Sequence, residues 1–362
     1  MDFKNYTLEA LDQLCRHKGF LAGNVAVISP ARLASQLKNP SVLPDDVVLT
    51  VAYDEHQRVA GFIGALPAVI HGERCAWNSC WWVREETAAN VSMQLLALFI
   101  QNWKQKVLFS EMTPLTMRII KQLGFCNHTE LVGFRGYYRM ALAKVLPSKY
   151  RFFSNFSGLL RFTDSLLNNL LEIRSVWINA GKVEPLHCKV INALDDTDRE
   201  VLERFRQQNP AQRSVDDFNW IIKNPWLAEH DKADSIIDRS YPFSYAVKRF
   251  KSRWLRFYDE HTVLALVNFT VRDNELKLPY VFCQPGTEHA IAAYFTNYLI
   301  SDVKLATITT FHQGLIEAFN QKKCFLFRAR PLKYSAIAKA VPGLIENAQP
   351  ELQMGDGDAV FT

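Results

Sequence analysis

Two stretches of chain leave little freedom for the fold. VVLTVAY (47–53) and RVAGFIGALPAVI (58–70) are rich in β-branched and apolar residues, and only DEHQ separates them. A parallel crossover needs about a dozen residues or more, so these two strands must run antiparallel. HGER then leads into a third strand, 75–83. The second half repeats the constraint: strands expected over 244–258 and 262–272 are joined by DEH, and a third follows at 276–282. A doubly wound parallel sheet is thereby disfavoured, and each half is expected to hold a twisted, mostly antiparallel sheet with helices on both faces.

The remaining elements follow one order in both halves. In the first, Val91, Leu95, Leu98 and Ile100 recur at helical spacing within 88–106, and VLFSEM (107–112) reads as a strand. Thr113-Pro114 opens a helix that Gly124 ends, and a strand over 131–142 closes the unit. Residues 147–185 read as a helical connector ending at Gly181 and Pro185. In the second half, helices near 196–207 and 215–223 precede the three strands. Helix 288–300, strand 303–311, helix 313–321 and strand 324–330 follow them. The expected architecture is α/β (α+β), with tandem domains over 1–146 and 186–362 and the connector between them.

Charge and cysteine usage narrow the function classes. A net charge of +5, spread over 42 basic and 37 acidic side chains, suits an anionic ligand without calling for DNA. Seven cysteines are scattered with no C-x-x-C pair, and His187, His261, His289 and His312 lack a ligand spacing, so no metal is expected. MDFKNYTLEALDQ lacks the pattern of a secretory signal, and no apolar run approaches the roughly 20 residues of a membrane span. The expectation is a soluble, cytoplasmic protein.

In KRFKSRWLRF (248–257), Arg249, Lys251 and Arg253 share one strand face, and Phe250 and Trp254 share the other. That is a solvated face over a core, or an electropositive wall for an anionic ligand. Trp220 and Trp226 flank Pro225 and are expected to anchor a helix end. GDGD near the terminus could chelate a cation, and a polar tail is the stronger reading.

VAGFIGALPAVI, then WWVREE, a helix, TPLTMRIIKQLGF and an aromatic closing strand together resemble the GNAT acyl-CoA N-acyltransferase superfamily. RSVDDFNWIIKNPW (213–226) is similar to the Arg-x-x-x-x-Leu-x-Trp-x-x-x-x-Pro segment of tandem GNAT proteins from bacterial polysaccharide clusters. The resemblance implies two GNAT-like domains and acetyl-CoA or another acyl-CoA as cosubstrate. It further implies transfer to a primary amine, with an amino sugar the first small-molecule acceptor to consider. Two other readings stand beside it: a FemAB-like aminoacyltransferase, the one reading that brings tRNA as a partner, and a non-catalytic GNAT-fold binding protein.

In that family two strands splay apart, the pantetheine arm lies along the freed edge, and the pyrophosphate sits on N–H groups at the next helix start. The first such joint here is CWWVREETAANVSMQLL (80–96), and the resemblance marks Val83, Arg84, Thr87, Ala88 and Ala89. One alignment puts Ala88 at the family's Arg and Ala89, Val91 and Met93 at its three small positions. The other keeps Arg84 as the basic residue beside Glu85 and Glu86. The second joint, VFCQPGTEHA (281–290), offers Phe282, Gln284, Gly286 and Thr287, with Thr287 a candidate N-cap. It has no acid before Glu288, so phosphate charge is expected to be better compensated there. Both joints also fit plain strand–helix turns. The family's frequent general-acid Tyr corresponds to Ile120, which leaves Glu111, Tyr137 and Tyr138 as replacement catalytic candidates.

Overall fold

The computed structural model describes residues 1–16, 25–140, 142–178, 186–229, 240–260, 262–341 and 352–361. His261 and the Gly181–Pro185 end of the connector lie outside them. The chain begins with β1 (Asp2–Thr7), α1 (Leu8–Arg16), α2 (Pro30–Gln36), β2 (Val47–Tyr53), β3 (Val59–Ile70) and β4 (Glu73–Val83). A single 3-10 turn, Glu85–Thr87, precedes α3 (Ala88–Asn102), followed by β5 (Val107–Met112), α4 (Pro114–Leu123), β6 (Cys126–Val132) and β7 (Phe134–Tyr137).

Helices α5 (Leu142–Lys149) and α6 (Ser157–Ile178) form the described part of the connector. Next come β8 (His187–Ile191), α7 (Asp196–Arg204), α8 (Val215–Lys223) and the short strands β9 (Ala228–Glu229) and β10 (Ala246–Val247). The order then runs β11 (Phe250–Asp259), β12 (Thr262–Arg272), β13 (Glu275–Cys283), α9 (Glu288–Ser301), β14 (Thr307–Thr310) and α10 (Gln313–Asn320). Strands β15 (Phe327–Ala329) and β16 (Leu332–Ala338) complete it.

Two seven-stranded sheets result, β1-β2-β3-β4-β5-β16-β6 and β15-β7-β14-β13-β12-β11-β8. Antiparallel pairing dominates both, as the short turns require. The chain forms two compact units: Met1–Leu131, Ile191–Arg253 and Lys333–Thr362, and then Val132–Val190 with Trp254–Leu332. In unit 1, Leu8 and Leu11 of α1 and Leu33 of α2 cover Phe62 and Cys80. Gly61, next to Phe62 and so facing the opposite way, lies against Leu95 of α3. In unit 2, Phe295 and Leu299 of α9 and Leu315 and Phe319 of α10 pack on Phe269, Leu276 and Ile308 of the sheet.

Several local expectations hold. Thr113 caps α4, its hydroxyl accepting from Thr116 N–H at 3.2 Å, Pro114 follows it, and Gly124 ends the helix at φ 71°. Ile120 is fully buried. Other expectations need correction. The strand read over 131–142 is two strands, and β7 joins the second sheet between β15 and β14. Its place in the first sheet goes to β16, which the sequence reading missed.

The polar-tail reading of GDGD also falls. Met354, Asp356, Val360 and Phe361 are all buried in unit 1. Phe361 stacks on Trp226 at 4.5 Å between ring centroids, and its carbonyl accepts the Trp226 N–H at 3.2 Å. Trp220 donates its indole N–H to the Ser35 carbonyl at 2.8 Å, so both tryptophans do anchor the core. Removing a fully buried Phe side chain costs about 3–5 kcal/mol. Phe361→Ala should therefore lower the urea midpoint of unfolding by a corresponding amount; a loss under about 0.5 kcal/mol, as for an exposed site, would show that the tail is only loosely held.

Candidate functional site

Both sheets contain one strand pair that parts. In unit 1, β4 and β5 run parallel and match at Ala76–Val107 and Trp77–Leu108 only. The register against β3 slips at once: Asn78 faces Ala65 and Cys80 faces Gly64, which leaves Ser79 as a bulge. β5 bulges as well, where its register with β16 slips between Tyr334 and Ala336, and Glu111 there takes φ 52°. In unit 2, β13 and β14 match in parallel from Glu275–Thr307 to Lys277–Thr309. The bulge there falls on Leu278 and Pro279, opposite Phe269. Each parted strand then leads through a joint into a helix.

At the first joint, Arg84 N–H donates to the Ala60 carbonyl at 2.8 Å. The Arg84 guanidinium reaches Asp54 at 3.2 Å and the Val59 carbonyl. Thr87 N–H donates to the Arg84 carbonyl, and Ala88 N–H to the Glu85 carbonyl. Val83 ends the strand, and Ala88 and Ala89 open α3. Val91 is buried and Met93 exposed. A concavity of about 710 Å³ adjoins the joint, lined by Met1, Val25, Asp54, Glu55, Arg58, Arg84, Glu86 and Thr87.

Asp54 fastens this corner, accepting from the N–H groups of His56 and Arg58 and from the Arg58 and Arg84 guanidiniums. Burial works against its charge, but the Arg58 N–H and the two guanidiniums outweigh it. The carboxyl is held well below the usual carboxylate range.

The second joint is closed differently. Gln284 N–H bonds the Leu264 carbonyl at 2.9 Å, and Gly286, at φ 96°, donates its N–H to Glu288 Oε2 at 2.7 Å. Thr287 does not cap α9; its hydroxyl donates back to the Gln284 carbonyl at 2.7 Å. Phe282 is fully buried in a stack with Trp254 and Tyr280. Cys283 Sγ lies 3.8 Å from His312 Nε2, and burial, with Glu288 nearby, pushes this thiol up to about 12.

The catalytic candidates separate. Glu111 lies in unit 1 on the bulge of β5, within electrostatic reach of Lys333. Tyr137 and Tyr138 lie in unit 2: Tyr137 rests on Phe327, and Tyr138 is buried under the Arg139 guanidinium.

Around the parting of unit 1 the structure assembles buried polar groups that sequence reading had not connected. Arg32, on α2, is 2% exposed. It donates to Ser79 Oγ on the bulge and to Tyr241 Oη at 3.4 Å, and its guanidinium lies 4.6 Å from the Trp226 ring. Gly64 makes room for it, since a Cβ there would lie 2.6 Å from both Arg32 Nη2 and Cys80 Sγ. Lys333, on β16, donates to the carbonyls of Gln353 and Met354 at 3.0 and 2.7 Å. Burial pushes its ammonium down, against Glu111, Asp356 and Asp358.

The tail passes over β5 so closely that a Cβ on Gly357 would fall on Ser110 Oγ. Arg213 holds the Gly357 carbonyl, and Asp356 accepts the Gln353 N–H at 2.8 Å. Two sequence signals pointed here: Ser29-Pro30, which caps α2 with Ser29 Oγ accepting from Arg32 N–H, and the apolar Val360-Phe361 after GDGD.

No protein-family model and no curated protein matches the chain. Solved structures resemble it at low identity. A GCN5-related N-acetyltransferase from Anabaena variabilis is 10% identical over 92% of this chain and 72% of its own, with a TM-score of 0.46. One from Kribbella flavida is 10% identical over 93% and 70%, at 0.45. N-myristoyltransferase from Saccharomyces cerevisiae with bound myristoyl-CoA is 10% identical over 93% and 82%, at 0.47. These are likenesses of fold, and the strand order described above stands without them.

Because Asp54 is more acidic folded than unfolded, its contribution is complete above its unfolded value of about 3.9 and fades as pH falls toward the lower folded one. Asp54→Asn should lower the melting temperature at neutral pH, with the gap narrowing below about pH 4. A gap unchanged down to about pH 3 would contradict this assignment.

Proposed function

We propose that the chain is an acyl-CoA-dependent N-acyltransferase acting on a primary amine, with the reacting site in unit 1. One observation carries the reading: a parallel strand pair that parts at a bulge and leads into a helix start, present in both units. A freed strand edge is where an extended amide-bearing chain such as pantetheine can add main-chain hydrogen bonds. A bulge residue off the ladder can turn its N–H toward a developing oxyanion. When bound, acyl-CoA supplies the thioester carbonyl, and this chain supplies the edge, the donors and a proton acceptor.

Two features favour unit 1. Its bulge residue, Ser79, has an N–H, whereas the bulge of unit 2 includes Pro279, which has none. At the second joint, moreover, the Gly286 N–H already bonds Glu288. The expectation from side-chain charge had leaned to that joint, and the hydrogen bonding moves the proposal to Val83, Arg84, Thr87, Ala88 and Ala89. The concavity beside them fits diphosphate in part: Arg58 and Arg84 supply two cations, while Asp54, Glu55 and Glu86 oppose them. Arg58, with about half its side chain exposed, is the freer cation. Among acceptors, an amino sugar rests on the sequence resemblance, and glucosamine heads the panel to test.

Acetyl-CoA at 100 times its dissociation constant should stabilise the protein by about 2.7 kcal/mol, visible as a thermal shift. Arg58→Ala should weaken binding about tenfold in isothermal titration, the size of one lost charge-assisted contact. Absence of any shift with acetyl-, malonyl- and longer acyl-CoA would contradict the proposal and favour a non-catalytic binding protein.

A further inference from the structure

Asp358 is a half-buried residue of the tail that covers the parting of unit 1. Its carboxyl bonds just its own backbone N–H among the described residues. Its neighbours Asp356 and Gly357 are tied to Gln353 and Arg213, and Phe361 is stacked on Trp226, so the backbone carrying it is fixed. Charged and titratable groups lie within electrostatic reach of it: Arg32 on α2, Cys80 on β4, Glu111 on β5, Lys333 on β16, and Tyr241.

Three polar atoms around the parting make no hydrogen bond among the described residues: Arg32 Nε, Ser110 Oγ and Ser335 Oγ. A buried polar group normally finds a partner, and unmatched polar atoms beside a strand parting are placed to meet water or a polar ligand.

We propose that Asp358 is the proton acceptor for the attacking amine, with Arg32 and Lys333 as positioning residues around it. The inference rests on the acyltransferase reading and names a residue that reading leaves open. Asp358 Oδ takes one proton from the substrate ammonium. The freed nitrogen lone pair forms the C–N bond at the thioester carbonyl. The C–S bond breaks with its electron pair on sulfur, and the thiolate takes up the second nitrogen proton as the amide forms. Asp358 then loses its proton to water through its exposed side, so the net products are amide, CoA thiol and one proton.

The electrostatics suit this role. Burial is the main cause that pushes the Asp358 carboxyl up to about 7, Glu111 adds to it, and Arg32 and Lys333 keep it from rising further. A base of that strength is half ionised near neutrality, where a general base works best. A carboxyl held above its unfolded value of about 3.9 contributes stability below that value, and the contribution is lost as pH rises through the folded one.

The test compares wild type, Asp358→Asn and Glu111→Gln, with CoA thiol release from acetyl-CoA measured against pH in the presence of glucosamine, spermidine or hydroxylamine. Circular dichroism checks the fold, and isothermal titration measures acetyl-CoA binding. The proposal predicts a wild-type kcat/KM that rises through a limb near pH 7. Asp358→Asn should lose that limb and about 100-fold or more in rate, with acetyl-CoA affinity within about twofold of wild type. Glu111→Gln should keep the limb.

Should Asp358→Asn fail to fold, the wild-type limb and its retention in Glu111→Gln still decide. Acetyl-CoA binding with no difference in rate between wild type and Asp358→Asn at any pH would overturn this proposal and leave the acyltransferase reading standing. Loss of the limb in Glu111→Gln would assign the role to Glu111 instead. No acetyl-CoA binding by any variant would remove the acyltransferase reading, and this one with it.

Discussion

A strand that loses its neighbour partway along must satisfy its backbone N–H and C=O groups elsewhere. In unit 1 that happens immediately after Trp77, where bulges on β4 and β5 pull apart two strands that have just paired. The rest of unit 1 is arranged about that break. Arg32 reaches it from one helix, α3 starts beyond its open end, and the tail crosses it over Ser110. Unit 2 builds the same break from different residues, with Pro279 in the bulge and a closed turn at Gly286. Two copies of one irregularity in one chain point to a retained architecture, and the difference between them separates a parting equipped with polar groups from one packed with aromatic rings.

The end of the chain completes unit 1. Strand β16 lies between β5 and β6, and residues 352–361 seal the region beside it. Lys333 and Arg32 are cations taken almost wholly out of water, which is tolerable because carbonyls, hydroxyls and a ring face meet them. Asp358 is the exception in this company, half-buried and bonded, among the described residues, to its own N–H. Such an arrangement works against stability and is the kind that functional sites retain.

The sequence was legible where structure is decided locally. Turns of three or four residues forced antiparallel pairing, Thr113-Pro114 and Gly124 bounded α4, and tryptophans beside Pro225 anchored a helix end. It was illegible where polar residues point inward. In LKYSAIA the alternation is inverted, with Lys333 and Ser335 buried and Leu332 exposed, so the apolar residues mark the wrong face of β16. GDGD has the composition of an exposed tail, and only packing against Trp226 and Arg213 reveals otherwise. The joints depended on partners distant in sequence. Arg84 looked available for phosphate until Asp54, thirty residues earlier, was seen to hold it.

The claim that acyl-CoA lies along the parted edge of unit 1 is most directly tested by hydrogen–deuterium exchange with and without saturating acetyl-CoA. The account predicts slowed exchange in residues 78–91, from the bulge through the first turn of α3, with no comparable change in 278–290. Protection confined to 278–290, or absent from both segments, would contradict it.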